Sequence, residues 1–174
     1  MTLQVRDAVP ADLPAITAIY EHHVRHGTGT FEEVAPGQEE MAARLKRVQG
    51  EGCAWLVAVN DGALLGFGFF TGFREGSAFR FAAEDKIYVR DDVRGMGVGR
   101  AIGEALVARA TGQGYRQMVA VIGDSENVGS IGLHAALGFR QSGVLRGIGL
   151  KFGRWLDAVT MQRALGEGER TIPG

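Results

Sequence analysis

Residues 84–100, Glu-Asp-Lys-Ile-Tyr-Val-Arg-Asp-Asp-Val-Arg-Gly-Met-Gly-Val-Gly-Arg, constrain the fold more than any other part of this chain. A β-type run, Ile87-Tyr88-Val89, enters a loop with glycine at 95, 97 and 99, and the loop opens an alanine- and leucine-rich segment from Ala101 to Ala110. Strand, glycine loop and helix start, in that order, set several backbone N–H groups and the positive end of a helix dipole against one point, where they favour a phosphate. Arg94 and Arg100 bracket the loop with fixed positive charge, and Glu84 places an acid on the strand leading into it. A phosphate cradle one strand away from a carboxylate points to an enzyme that uses a phosphorylated cofactor. Taken singly, the same features are a tight turn before a helix and a solvated strand acid.

Two common glycine-loop readings fail on spacing. The dinucleotide fingerprint needs Gly-x-Gly-x-x-Gly. Counted from Gly95 its third glycine falls on Arg100, and counted from Gly97 it falls on Ile102. The triphosphatase loop needs Gly-Lys followed by Ser or Thr, and the chain contains no Gly-Lys pair.

What remains, Arg94-Gly95-Met96-Gly97-Val98-Gly99-Arg100-Ala101, resembles the Arg/Gln-x-x-Gly-x-Gly/Ala loop of the GNAT superfamily of N-acetyltransferases, which cradles the pyrophosphate of acetyl-coenzyme A. Asn127-Val-Gly-Ser130-Ile-Gly-Leu133-His134-Ala-Ala-Leu-Gly138-Phe139 resembles the family's second cofactor motif, in which an Asn starts a helix beside the pantetheine arm and a Gly-aromatic pair ends it. Ala83-Glu84 before Ile87-Tyr88-Val89, the run from Val119 to Gly123, and Gly149-Leu-Lys-Phe-Gly-Arg-Trp155 are similar to one subfamily, the phosphinothricin and methionine-sulfoximine N-acetyltransferases. The likeness covers essentially residues 3–163.

The resemblance implies an α/β fold around a mixed, strongly twisted sheet flanked by helices, in the order β-α-α-β-β-β-α-β-α-β-β. It implies that pantetheine inserts where the strands around the glycine-loop helix splay, along the edge formed by Ile87, Tyr88 and Val89. Cofactor contacts are then expected from that edge, from 94–100, and from Asn127 and Ser130.

The pattern of the chain agrees with this order. Leu3 to Asp7 alternates as a strand; Pro10-Ala-Asp12 marks a helix start, with Asp12 expected at the N-cap. Leu13, Ile16, Ile19, Tyr20 and Val24 keep helical spacing, as do Met41, Leu45 and Val48 after Pro36-Gly37. Trp55 to Val59, Asp61-Gly62 and Ala63 to Phe73 read as a hairpin. Helix 97–112, strand 116–122, helix 128–137 and strands near 140–146 and 155–163 follow. One domain over residues 1–165 is expected, with 166–174 as a frayed tail.

At 174 residues with 45% hydrophobic and 22% charged side chains, the chain is suited to one buried core. A net charge of −1 gives no bulk attraction to nucleic acid or anionic membranes, and neither partner is expected. Cys53 is the single cysteine, which removes an intrachain disulfide and multi-cysteine metal sites. The apolar runs are short for a membrane span or signal peptide, so a cytoplasmic protein is expected.

Acetyl transfer from a thioester to an amine requires a neutral amine, a polarised carbonyl and a proton for the departing thiolate. A general base in hydrogen-bond reach, directly or through water, contributes about 10²–10⁴-fold. The resemblance gives that place to Glu84, with backbone N–H near Val89 polarising the carbonyl. His134 stands where many relatives have Tyr; it is either the thiolate's acid or a packed helix residue. His22, His23 and His26 lie together, but without a zincin-type acid no metal is expected.

Arg74 in its loop, with Phe79 nearby, is a candidate to hold an acceptor carboxylate, a plain surface Arg being the alternative. In the subfamily, the region of Lys151 and Phe152 lines the site across a homodimer. The aromatic run Phe67 to Phe73 is more apolar than an exposed surface should be, which adds to the expectation of an interface. Acetylation of another amine or a protein N-terminus, and a silent acyl-CoA-binding regulator, remain as alternative functions.

Overall fold

The computed structural model describes residues 2–174. A sheet of seven strands runs in the order β1-β2-β3-β4-β5-β7-β6. Its members are β1 (Gln4–Asp7), β2 (Trp55–Asn60), β3 (Ala63–Gly72), β4 (Ala82–Val89), β5 (Gln117–Gly123), β6 (Arg140–Lys151) and β7 (Arg154–Ala164). The helices are α1 (Leu13–His26), α2 (Gln38–Gly50), α3 (Val98–Gly112) and α4 (Val128–Ala136). The element order is the one expected, and β4 with β5 is the one parallel pair among the described residues.

β3 explains how the two layers close on the sheet. Phe67 and Phe70 are fully buried, and Trp55 stacks on Phe67 and Phe69 at 5.7 and 4.2 Å. The glycines between them admit α3: a Cβ on Gly68 would stand 2.7 Å from Ile102 Cγ2 and 2.9 Å from the Lys86 carbonyl. The aromatic run from Phe67, expected at an interface, is core instead. The exposed apolar surface lies on the last hairpin, where Ile148, Leu150, Phe152 and Trp155 are each more than half exposed.

Local chemistry adds detail at three other places. Asp12 stands at the N-cap of α1, as expected, but its side chain makes no capping bond to that helix. Its carboxylate accepts the Val9 N–H at 2.8 Å and two bonds from Arg6 at 2.7 and 2.8 Å, closing a short 3₁₀ turn before the helix. The late hairpin is longer than expected because glycines at 143, 147 and 149 hide β6, which follows β7 through two register shifts. Two bonds reach the segment after β7: Arg116 donates to the Gly168 carbonyl at 3.2 Å and to Thr171 Oγ1 at 3.0 Å.

β4 and β5 pair only from Ala82↔Gln117 to Asp85↔Ala120. Beyond that point β4 stays paired with β3 as far as Val89↔Gly66, and β5 stays paired with β7 as far as Gly123↔Ala158, but the two no longer pair with each other. The edge of β4 from Lys86 to Val89 is therefore unpaired on one side, and this opening locates the site.

Candidate active site

Two cavities flank the opening. The larger, about 920 Å³, is lined by Arg94, Gly95 and Gly97–Arg100 from the loop, by Asn127, Ser130 and Leu133 around the start of α4, and by His22, His23 and His26 from α1. The smaller, about 380 Å³, is lined by Tyr20, Thr30, Phe31, Glu32, Glu84, Asp85, Lys86 and His134. Gly29, Ile87, Tyr88 and Ser130 border both, so the cavities meet at the open edge of β4.

The larger cavity is a backbone device. Gly95 and Gly97 have φ of 76° and 85°, a region where a Cβ is strained, and no atom lies within 4 Å of where a Cβ would be. The first helical bond of α3 runs from Ala101 N–H to the Gly97 carbonyl at 3.0 Å, leaving the N–H groups of Val98, Gly99 and Arg100 for an outside acceptor. Gly99 serves a different purpose, since its Cβ would meet Leu133 Cδ2 at 3.1 Å and the bare Cα lets α4 approach α3. Arg94 pairs with Asp91 at 3.0 Å and Arg100 with Glu104 at 2.8 Å. Such exposed pairs are worth little and yield readily to phosphate.

Across the cavity, Asn127 caps α4 by accepting the Ser130 N–H at 3.2 Å. His23 Nε2–H donates to the Val89 carbonyl at 2.8 Å, and burial lowers its pKa. Asp124, in a left-handed backbone at φ 76°, takes Arg154 at 2.7 Å at the floor. A loop with open Cβ positions, unclaimed N–H groups and two displaceable cations fits a pyrophosphate. Of the sequence-derived cofactor residues, all line this cavity except Met96, which is half exposed outside it.

The smaller cavity is made of side-chain pairs. Glu84 and Lys86, two apart on β4 and hence on one face, bond each other. Asp85 and His134 bond at 3.2 Å on the opposite face. Glu32 holds Arg44 at 2.8 Å, and Tyr20 shares a 2.9 Å bond with Thr30 while its ring meets Tyr88 at 4.9 Å. Burial pushes the Tyr88 phenol well above its ordinary pKa. Sequence reasoning missed Tyr20, Thr30, Phe31, Glu32, Asp85 and Lys86. Lys86 was findable, since strand alternation sets it beside Glu84; the loop residues after α1 carry no spacing signal.

The four acceptor-side expectations fare differently, for none of Arg74, Phe79, Lys151 and Phe152 lines either cavity. Arg74 is exposed over the Phe73 ring at 5.1 Å, and Phe79 meets the same ring edge-on at 5.9 Å. Lys151, expected to line the acceptor site across a dimer, is buried within its own chain. Strand alternation turns Leu150 outward and Lys151 inward, where it is 1% exposed and donates to the Gly27 and Thr30 carbonyls at 2.8 and 2.9 Å, while Phe152 is exposed in the turn after β6 at φ 53°. Lys151 straps the 27–34 loop over the smaller cavity, helped by Phe31 lying against Gly149. His134 is also more enclosed than an open acid: it is 4% exposed and both ring nitrogens are engaged. Among the described residues, no group of three or more His, Cys, Asp or Glu is placed to hold a metal, and no helix is long and apolar enough to cross a membrane.

Known proteins are similar to this chain in sequence and in fold. The family model of the acetyltransferase (GNAT) domain matches residues 5–160. The chain is 54% identical to a phosphinothricin N-acetyltransferase of Alcaligenes faecalis over 93% of its own length and 82% of that protein's. It is 42% identical to an L-methionine sulfoximine/L-methionine sulfone acetyltransferase of Pseudomonas paraeruginosa, over 93% of its length and 94% of the relative's. A solved GNAT superfamily phosphinothricin acetyltransferase from Sinorhizobium meliloti, in complex with acetyl-CoA, superposes with a TM-score of 0.96 at 46% identity, covering 100% of this chain and 94% of that one.

Proposed function

The chain belongs to the GNAT family of acetyltransferases, and on that premise we propose how its two cavities divide the reaction. The enzyme transfers the acetyl group of acetyl-CoA to the amino group of a small amino-acid-like acceptor. In our reading the larger cavity holds the coenzyme, and the smaller holds the acceptor. The observation that carries this division is their meeting at Ile87 and Tyr88, with Glu84 on the acceptor side alone.

At that junction the β4 edge offers backbone groups to orient the thioester, and N–H near Val89 polarises its carbonyl. Glu84 takes the proton of the attacking amine, directly or through one water, while Lys86 fixes the orientation of its carboxylate. His134 is the source of the proton that the leaving sulfur needs. The acceptors are methionine sulfoximine, methionine sulfone, phosphinothricin or close analogues, and the enzyme works in the cytoplasm. Thiol release from acetyl-CoA against a panel of these compounds, ordinary amino acids and an N-terminal peptide tests the reading. Turnover confined to the peptide would replace the acceptor class; thiol release with none would leave an acyl-CoA-binding protein.

A homodimer completes the acceptor side. β6 is the outer strand of the sheet; its exposed Ile148 and Leu150 lie beside Trp155, the register partner of Leu150, and Phe152 is exposed in the turn that follows. A free strand edge beside so much exposed apolar side chain is a surface that needs a cover. Two-fold pairing there brings Phe152 of one copy towards Arg74 and Phe79 of the other. With Lys86 held by Glu84, Arg74 then takes the acceptor's carboxylate. Light scattering should give a dimer at micromolar concentration, and Arg74→Ala should raise the acceptor KM about tenfold with the acetyl-CoA KM unchanged. A monomer, or unaltered acceptor kinetics, would refute the respective half.

A further inference from the structure

Asp85 sits one residue beyond Glu84 and therefore faces the other side of β4, where it is 4% exposed. His134 reaches it from α4. The His134 Nδ1 lies 2.8 Å from the Ser130 carbonyl and 3.4 Å from the Ser130 hydroxyl, and Nε2 lies 3.2 Å from Asp85 Oδ2. A carbonyl at 2.8 Å can only accept, so Nδ1 must carry a proton; a lone pair there would face another lone pair. The more distant hydroxyl does not relieve that clash. Nε2 likewise faces a carboxylate oxygen and needs a proton between the two atoms. A neutral imidazole has one N–H. Two acceptors are present, so the geometry requires one proton more than a neutral histidine beside a carboxylate supplies.

We propose that the Asp85–His134 pair stores this extra proton beside the reaction site and gives it to the departing CoA thiolate, with Asp85 as the positioning residue that keeps His134 charged. The inference rests on the acetyl-transfer reading above. The proton balance closes. The amine nitrogen forms the C–N bond and the C–S bond breaks, with sulfur keeping the electron pair. The amine loses one proton to the Glu84 carboxylate, and sulfur gains the one held between Nε2 and Oδ2. His134 is left neutral, with Nδ1–H still on Ser130. Glu84 then releases a proton to solvent and the pair takes one up, and no oxidant or reductant is involved.

The surroundings favour storage. Asp85 Oδ1 is buried without a partner, an arrangement that is costly for a lone ion and tolerable beside an imidazolium. Burial alone would lower the His134 pKa, but the Asp85 hydrogen bond and charge, with the Ser130 carbonyl, outweigh it and raise it. Few other charges face the pair. Glu84 and Lys86 bond each other on the other face of β4, Tyr88 and Tyr20 present phenols, and Glu32 is held by Arg44. β5 contributes Ala120, Val121 and Ile122. α3 offers α4 its glycines 99 and 103, Phe139 packs edge-on against the imidazole at 5.1 Å, and Arg163 of β7 is spent on the Leu137 carbonyl. His134 borders the acceptor cavity and Ser130 borders both cavities, so the pair stands within reach of the junction.

The test combines nitrogen NMR of the histidine rings in the intact protein with pH–rate profiles. In the wild type both His134 nitrogens should be protonated at pH 7, and the midpoint of their titration should match the pH above which kcat falls. In Asp85→Asn one nitrogen should lose its proton, kcat at neutral pH should fall about tenfold, and the high-pH fall should begin about one pH unit lower, with acetyl-CoA affinity unchanged. Asp85→Glu should restore part of both. A neutral His134 in the wild type, or a protonated one whose titration is absent from the kcat profile, overturns the proposal, and neither outcome needs the variant to fold. A wild type that binds acetyl-CoA but acetylates nothing would instead overturn the acetyl-transfer reading, leaving the NMR result to stand or fall alone.

Discussion

The two cavities that meet at Ile87 and Tyr88 are built from opposite materials. The larger, which we assign to the coenzyme, is mostly main chain: two glycines at positive φ, three helix N–H groups without partners, and arginines loosely paired at the surface. The smaller, which we assign to the acceptor, is almost wholly side chain, with paired groups gathered from β4, α1, α4 and the loop after α1. A backbone cradle accepts one ligand common to a family, because N–H groups recognise phosphate without regard to neighbouring side chains. A cavity of interlocked ion pairs can be retuned by single substitutions. Shared cofactor and divergent acceptors follow from that contrast.

If the contrast is real, lesions on each side should be separable. Glu84→Gln should have the largest effect, lowering turnover by about 10²-fold or more in steady-state assays, since it keeps the shape and removes the base. Gly97→Val should come next. Forcing a β-branched residue into φ 85° distorts the cradle, and acetyl-CoA affinity measured by calorimetry should fall by about 10²-fold while the protein stays folded. Gly97 is the better probe than Gly99, whose replacement would also strike Leu133. A Gly97→Val protein with normal affinity would remove the cradle from the account.

The acceptor side should also depend on distant strapping. Lys151→Met leaves the Gly27 and Thr30 carbonyls without their donor and should cost about 2 kcal/mol, a Tm fall of about 4–8 °C by calorimetric scan. The smallest effect is expected at Asp85. The raised His134 pKa stabilises the fold fully below the unfolded value near 6.5, and the contribution is lost as pH rises through the higher folded value. Asp85→Asn should therefore be less stable than the wild type by about 1 kcal/mol at pH 5.5–6, with the gap closing above neutrality. Denaturant melts across pH would check this, and a gap that widens towards alkaline pH would contradict it.

The same contrast governs what could be read from the sequence. The coenzyme side is contiguous: 94–100 and the stretch from Asn127 to Ser130 carry their spacing on the surface of the chain, and the element order followed from ordinary alternation and helical periodicity. The acceptor side joins residues as far apart as Glu32 and His134, so no local pattern announces it. Lys151 shows the difficulty best. The resemblance put it at the acceptor site across a dimer, and only the alternation of a strand broken by glycines and two register shifts shows it turned inward. Asp12 is a related case: it stands at the N-cap as expected, but Arg6, six residues away, claims its carboxylate.

The separability of binding and chemistry is tested most directly by titrating acetyl-CoA into Glu84→Gln in a calorimeter. The account predicts a dissociation constant within about twofold of the wild type in the same protein whose turnover is lost. A fall in affinity as large as the fall in turnover would contradict it, since Glu84 would then belong to the coenzyme's cavity rather than the acceptor's.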